Sequence, residues 1–134
     1  MFYLTEEKIK SGIQNYRKTQ NERNYRIFTD SGVQNYKPAA ILMPLLVYEG
    51  RWHLLFTHRS ENLVEHRGQV SFPGGAKEKS DPDMAYTALR ETQEEIGIAP
   101  RDVKVYGDLG IMPIVTGYLV TMVVGQVPWT YPLR

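Results

Sequence analysis

The run from Ala39 to Val47, AAILMPLLV, is almost wholly apolar and constrains the fold more than any other stretch of the chain. A strand with one wet face alternates apolar and polar residues, whereas an unbroken apolar run is typical of a strand covered on both faces. Glu49-Gly50 then predicts a turn, and Trp52 to Thr57 a returning strand that completes a hairpin. Pro44 cannot donate a ladder hydrogen bond, which predicts a bulge or an edge position there.

Helical patterns lie on both sides of this hairpin. An N-terminal surface helix is predicted over Thr5–Lys18, with Thr5 as its cap. The clearest helix is predicted over residues 82–96, where Asp81 suits the N-cap and Gly97 a left-handed C-cap. Three further strands are predicted, at Val103–Tyr106, Ile111–Val115 and Tyr118–Val124. Interleaved strands and helices indicate an α/β or α+β fold with a mixed sheet.

Length and composition bound the class of protein. A chain of 134 residues is expected to form one domain, and 42% hydrophobic with 23% charged residues is ordinary for a globular protein. A net charge of +1 argues against a general nucleic-acid binder, and no apolar run approaches a membrane span. The absence of cysteine excludes thiol chemistry. Since no targeting signal is visible, the cytoplasm is the expected location.

The acidic residues concentrate at the end of the second predicted helix. Glu91 and Glu95 are four residues apart and project from the same side, and Glu94 lies beside them. These carboxylates repel one another and meet the negative end of the helix dipole, and Arg90 is the one basic residue close enough along the helix to offset them. A solvated acidic face is one interpretation. A divalent cation would remove the penalty, which favours a Mg²⁺ or Mn²⁺ site.

A glycine pair precedes this helix, and together they carry a family resemblance. Residues 75–98, GAKEKSDPDMAYTALRETQEEIGI, resemble the Nudix box, whose second half is Arg-Glu, an apolar residue, any residue, Glu-Glu, any residue, Gly and an apolar residue. The first half is one residue longer than usual, Asp81 stands in place of a glutamate, and Thr92 takes the apolar position. A longer, Asp-bearing box is similar to that of the coenzyme A pyrophosphatase branch.

An upstream block strengthens the resemblance to that branch. The segments LLFTHRS from Leu54 and GQVSFPGG from Gly68, with His66 between them, are similar to the branch signature. The resemblance covers residues 36–126, with the box at 74–98 and residues 1–35 as an N-terminal helical extension of a single domain, 1–134. It implies an α/β/α sandwich with a mixed sheet, lacking the usual last strand and helix.

The resemblance also implies roles for individual residues. Glu91 and Glu95 would be metal ligands, with Glu94 a further ligand or the base that deprotonates water. The carbonyl of Gly75 or Ala76 would complete the ligand set, and Arg90 would hold the glutamates through a salt bridge. The residues expected to face the nucleotide substrate are Arg59, Ser60, His66, Gln69 and Gly74. The expected reaction is metal-dependent cleavage of coenzyme A or its derivatives to 3′,5′-ADP and 4′-phosphopantetheine.

Two features keep other hypotheses open. Without the last strand and helix, a sheet face or edge would be uncovered, and a homodimer formed through that edge is one hypothesis. Beyond Asp108 the sequence contains no further acidic residue that could serve as an additional catalytic glutamate. The alternatives are therefore a Nudix hydrolase of another nucleoside diphosphate derivative, such as ADP-ribose, or a catalytically weak nucleotide-binding domain.

Overall fold

A computed structural model describes residues 3–30, 36–58, 70–114 and 116–129, with the backbone alone between 20 and 30. Two helices and seven strands lie in these ranges, with a short 3₁₀ turn at Pro100–Asp102. In chain order they are α1 (Glu6–Asp30), β1 (Lys37–Tyr48), β2 (Arg51–Leu54), β3 (Thr57–His58), β4 (Val70–Ser71), β5 (Gly74–Ala76), α2 (Met84–Ile96), β6 (Lys104–Pro113) and β7 (Tyr118–Gln126). In the described ranges, no helix combines the length and apolarity needed to cross a membrane.

The apolar run forms β1, the strand around which the sheet is organised. β7 pairs with it in parallel on one side, and β5 and then β2 pair with it antiparallel on the other. The main sheet has the order β2-β1-β7-β6, and β3 and β4 form a separate two-stranded ladder. A mixed sheet is confirmed, as is the hairpin turn, where Glu49 and Gly50 both have positive φ.

Pro44 lies in the interior of β1, so the predicted bulge or edge position was wrong. Its pairing with Gly125 of β7 continues the register without a shift. On its other side, β5 pairs with β1 as far as Ile41, and β2 begins to pair at Leu45. Pro44 therefore lies between the part of β1 that pairs with β5 and the part that pairs with β2. Because neither strand pairs with Pro44 itself, its missing N–H costs no hydrogen bond between strands.

Two cores lie on opposite faces of the sheet, because successive side chains of a strand point in opposite directions. Ala40, Leu42 and Leu46 of β1 pack with α2. On the other face, Ile9 and Ile13 of α1 are buried with Val124 of β7 and partly buried hydrophobics of β1 and β6. The result is the expected α/β/α sandwich.

Helix α1 differs from the predicted surface helix in length and in role. It runs to Asp30 instead of Lys18, and it covers the sheet face that the sequence left without a partner. Thr5 caps it as predicted, since the Thr5 hydroxyl accepts a hydrogen bond from the Lys8 N–H at 3.2 Å. The Glu6–Lys104 ion pair, at 2.7 Å, ties the start of α1 to β6. The expectation of an uncovered face is therefore corrected, and β6 remains an edge strand among the described residues.

Candidate metal and phosphate site

Helix α2 starts two residues later than the sequence predicts. Its N-cap is Asp83, whose carboxylate accepts a hydrogen bond from the Tyr86 N–H at 2.7 Å, and its first residue is Met84. Asp81 is therefore not the cap, because the loop before the helix uses it for a different contact. The C-terminal end is as predicted, with Gly97 in the left-handed conformation that glycine adopts without strain.

Asp81 is a buried carboxylate that accepts hydrogen bonds from three other residues. The Arg90 guanidinium donates from Nε to Oδ1 at 3.1 Å and from Nη2 to Oδ2 at 2.9 Å. The Glu78 N–H and the Thr87 hydroxyl each donate to Oδ2, both at 2.9 Å. The hydrogen bonds from Arg90 hold the pKa of Asp81 well below its usual range. The carboxylate is therefore ionised at neutral pH although it is buried.

Arg90 links Asp81 to the acidic face of α2. Its Nη1 donates to Glu91 Oε1 at 3.0 Å and to Glu94 Oε1 at 3.2 Å, and its Nη2 also donates to the Ala76 carbonyl at 3.1 Å. The carboxylates of Asp81, Glu91 and Glu94 raise the pKa of Arg90, so it stays a cation. The Glu78 carboxylate also lies 3.6 Å from Nη1, so four carboxylates surround one guanidinium, the formal charge of this cluster is −3, and the site attracts further positive charge.

The Glu91 carboxylate lies directly against the backbone of Gly75. A Cβ placed on Gly75 would stand 2.5 Å from Glu91 Cδ and 2.5 Å from Oε1, so the Glu91 carboxylate would have to shift to make room for it. Glycine leaves this space open, which lets the Glu91 carboxylate reach the main chain of β5. Two of the predicted metal ligands, the Glu91 carboxylate and Gly75, are thereby brought together.

The other two glutamates are more exposed. The Glu94 side chain is 56% exposed and contacts Arg90, and Glu95 is also exposed, one turn after Glu91. Within the described parts of the chain, no three acidic or histidine side chains are already gathered in a geometry that would hold a metal ion. Glu91 and Glu94 instead converge on Arg90, which supplies the positive charge between them.

The predicted substrate-binding residues divide into two groups. Gly74 lies in β5 opposite Ile41 of β1, and a Cβ there would come within 2.6 Å of Ile41 Cγ2, so this glycine permits close strand pairing. The other four fall outside the described residues: Arg59, Ser60, His66 and Gln69. The described chain resumes at β4, which leads directly into the turn before Gly74.

Sequence reasoning missed two residues of the cluster. Asp81 was assigned to the helix cap, although its position in the box, where a glutamate usually stands, was the signal for another role. Nothing in the sequence pointed to a role for Thr87, because a threonine within a helix is common. A cavity of about 640 Å³ lies beside the N-terminal end of α2, between Met84 and strands β6 and β7, and none of the cluster residues lines it.

Two curated relatives each match more than two thirds of this chain. A protein of Citrobacter koseri named "Uncharacterized Nudix hydrolase NudL" is 49% identical over 94 residues, which cover 70% of this chain and 48% of that protein. A protein of the same name from Escherichia coli is 46% identical over 100 residues, covering 75% of this chain and 52% of that protein. The chain thus spans about half the length of the curated relatives it matches.

Solved structures share the fold at low sequence identity. A Caenorhabditis elegans Ap4A hydrolase complex has a TM-score of 0.61 at 17% identity, with 72% of this chain and 70% of that chain covered. The NUDIX domain of Shewanella oneidensis NrtR, complexed with ADP ribose, has a TM-score of 0.52 at 12% identity, with 82% and 78% covered. The NUDIX domain family itself matches residues 36–123, which include β1, the glycine pair and the whole of α2. The chain belongs to the Nudix family.

Proposed function

We propose that this protein is a metal-dependent pyrophosphohydrolase that cleaves coenzyme A, or a derivative of it, to 3′,5′-ADP and 4′-phosphopantetheine. The observation that carries the proposal is the contact between the Glu91 carboxylate and Gly75, beside a guanidinium that also holds Glu94. A diphosphate is a poor electrophile because its oxygens are negatively charged, so its hydrolysis requires concentrated positive charge and a positioned water molecule.

The donor set fits a hard divalent cation such as Mg²⁺ or Mn²⁺. The carboxylates of Glu91, Glu94 and Glu95 and the carbonyl of Gly75 are oxygen donors, which these cations prefer. The space that a Cβ would fill at Gly75 is taken by the Glu91 carboxylate, and we propose that this carboxylate and a main-chain oxygen of β5 bind one ion. When bound, the cation would neutralise phosphate oxygens and acidify water.

The chain's own residues would divide the remaining work. Arg90 would keep Glu91 and Glu94 in place, because its other edge is fixed by the buried Asp81. Glu94 is exposed enough to accept a proton from the attacking water, either directly or as a further ligand. The water oxygen would form a bond to one phosphorus, and the bridging oxygen would leave with the other phosphate.

The preference for coenzyme A is supported by the sequence signature alone. Arg59, Ser60, His66 and Gln69 belong to that signature, and we propose that they contact the nucleotide part of the substrate. The two relatives named NudL are 46–49% identical to this chain over 94 and 100 residues. We also propose a cytoplasmic enzyme that acts on a small nucleotide, with a homodimer through the edge strand β6 as a further hypothesis.

Incubation with several substrates tests the proposal. The chain is mixed with coenzyme A, ADP-ribose or Ap4A in the presence of Mg²⁺ or Mn²⁺, and products are identified by mass spectrometry, with an EDTA blank for each. Metal-dependent 4′-phosphopantetheine from coenzyme A is expected. Faster cleavage of ADP-ribose or Ap4A would move the assignment to another nucleoside diphosphate derivative. Binding of these nucleotides without turnover would favour a binding domain.

A further inference from the structure

Two threonines of α2 have side chains that are fully buried, and they differ in what their hydroxyls bind. Thr87 and Thr92 both have 0% exposure. A buried hydroxyl costs free energy unless it is hydrogen-bonded, and both are. The Thr92 hydroxyl donates to the Ala88 carbonyl at 2.7 Å, within its own helix. The Thr87 hydroxyl lies 2.9 Å from Asp81 Oδ2, which belongs to the loop before the helix.

The Thr87 contact is well placed to fix Asp81. Threonine is branched at Cβ, so a buried Thr87 has few rotamers, and its hydroxyl also lies 3.3 Å from the Asp83 carbonyl. Asp81 Oδ2 accepts from Thr87 and from the Glu78 N–H in addition to Arg90. Without the Thr87 hydroxyl, Asp81 Oδ2 would accept hydrogen bonds from one donor besides Arg90, which is the Glu78 N–H.

We propose that Thr87 is a positioning residue for the acidic face of α2. Its hydroxyl sets the orientation of Asp81, Asp81 sets that of Arg90, and Arg90 sets those of Glu91 and Glu94. The effect on catalysis rests on the proposed hydrolase function, whereas the effect on the Arg90 side chain does not. Groups that orient metal-binding side chains in this way typically contribute about 10- to 100-fold to metal affinity or activity.

Four variants test this proposal. Thr87→Val removes the hydroxyl with little change of shape, Thr87→Ser keeps the hydroxyl, and Thr87→Ala is a second deletion in case the valine variant does not fold. Thr92→Val is the matched control, since it removes an equally buried hydroxyl from the same helix without touching Asp81. The readouts are hydrogen exchange of the Arg90 Nε–H by NMR, Mn²⁺ affinity without substrate, and kcat and KM with coenzyme A.

The expected result is faster exchange of the Arg90 Nε–H and about tenfold or greater loss of Mn²⁺ affinity in Thr87→Val. We also expect kcat of Thr87→Val to fall with little change in KM. Thr87→Ser should restore the Arg90 exchange rate, the Mn²⁺ affinity and kcat, and Thr92→Val should resemble the wild type. Equal effects of Thr87→Val and Thr92→Val, or no change in Arg90 exchange, would overturn the proposal. If no variant or wild type turns over coenzyme A but the exchange pattern holds, the proposed function fails and the positioning role stands.

Discussion

The carboxylate of Asp81 accepts two parallel hydrogen bonds from the guanidinium of Arg90, one from Nε at 3.1 Å and one from Nη2 at 2.9 Å. The Asp81 side chain is 0% exposed and that of Arg90 is 15% exposed, so water competes little for this pair. The remaining edge of the guanidinium faces Glu91 and Glu94. A loop residue is thereby linked, through Arg90, to two carboxylates of the helix.

Replacing Glu94 by glutamine tests the assignment of the acidic face. The amide is nearly the same size but cannot accept the proton of water or bring negative charge to a cation. We expect kcat for coenzyme A to fall by about 10²- to 10⁴-fold, the range for loss of a proton-transfer group. Glu7→Gln, on the exposed side of α1, is the control and should keep the wild-type rate. A rate within twofold of wild type for Glu94→Gln would contradict the assignment.

Gly75→Ala tests the contact between β5 and Glu91. The added methyl would lie 2.5 Å from Glu91 Cδ, so the carboxylate has to move away. We expect activity to fall by about 10- to 100-fold, as for other losses of side-chain orientation at a metal site. In the control, Gly12→Ala in α1, the methyl meets no atom within 4 Å. It should leave activity unchanged and raise the free energy of unfolding by about 0.5–1 kcal/mol. Equal activities of the two variants would refute the contact's importance.

The pH dependence of stability should change in Asp81→Asn. Because the folded-state pKa of Asp81 is lowered, its contribution to stability is fully present above the ordinary aspartate value of about 4 and is lost as the pH falls below it. We expect the variant to have a lower free energy of unfolding than wild type at neutral pH, with a difference that shrinks below about pH 4. Denaturant unfolding at several pH values measures this. Asp102→Asn, at an exposed position, should show no such convergence. A difference in the free energy of unfolding that does not change with pH would contradict the buried Asp81–Arg90 ion pair.

Tyr106 gives a test of how α1 is held against the sheet. Burial, with the Glu6 carboxylate of α1 nearby, raises the pKa of Tyr106 from 10.0 to about 12. The folded state therefore keeps a proton that the unfolded state loses, and the free energy of unfolding should decline as the pH rises from 10 towards 12. Tyr106→Phe should remove that part of the decline, and Tyr3→Phe, at an exposed position, should not. An identical alkaline slope in Tyr106→Phe and wild type would count against this packing.

The layers of the fold could be predicted because local patterns specify them. An apolar run between polar segments gave β1, a period of helical spacing gave α2, and Glu49-Gly50 gave the hairpin turn. Pro44 could not be placed, because its tolerance depends on two strands, β5 and β2, that meet β1 end to end. The role of α1 was equally hidden, since Ile9 and Ile13 form only a thin stripe until β7 is folded beneath them.

The site was predictable in its residue types and less so in its connections. The spacing of Glu91, Glu94 and Glu95 indicated a common acidic face, and the resemblance to the box indicated that Gly75 lies beside it. Asp81 was misassigned because an aspartate before a proline suits a helix cap, and Asp83, two residues on, serves that purpose equally well. Thr87 is important because its hydroxyl contacts Asp81 in the loop before the helix. The spacing of apolar residues in the sequence does not reveal such a contact.

The most direct measurement compares wild type with Glu91→Gln for metal-dependent release of 4′-phosphopantetheine from coenzyme A. Glu91 is the carboxylate that lies against Gly75, so the variant removes one charge from the centre of the site. Formation of this product by wild type with Mg²⁺ or Mn²⁺, its absence in EDTA, and a loss of about 10- to 100-fold or more in the variant are the predicted results. Equal rates for the two proteins, or product formed in EDTA, would contradict a metal-dependent hydrolase centred on Glu91.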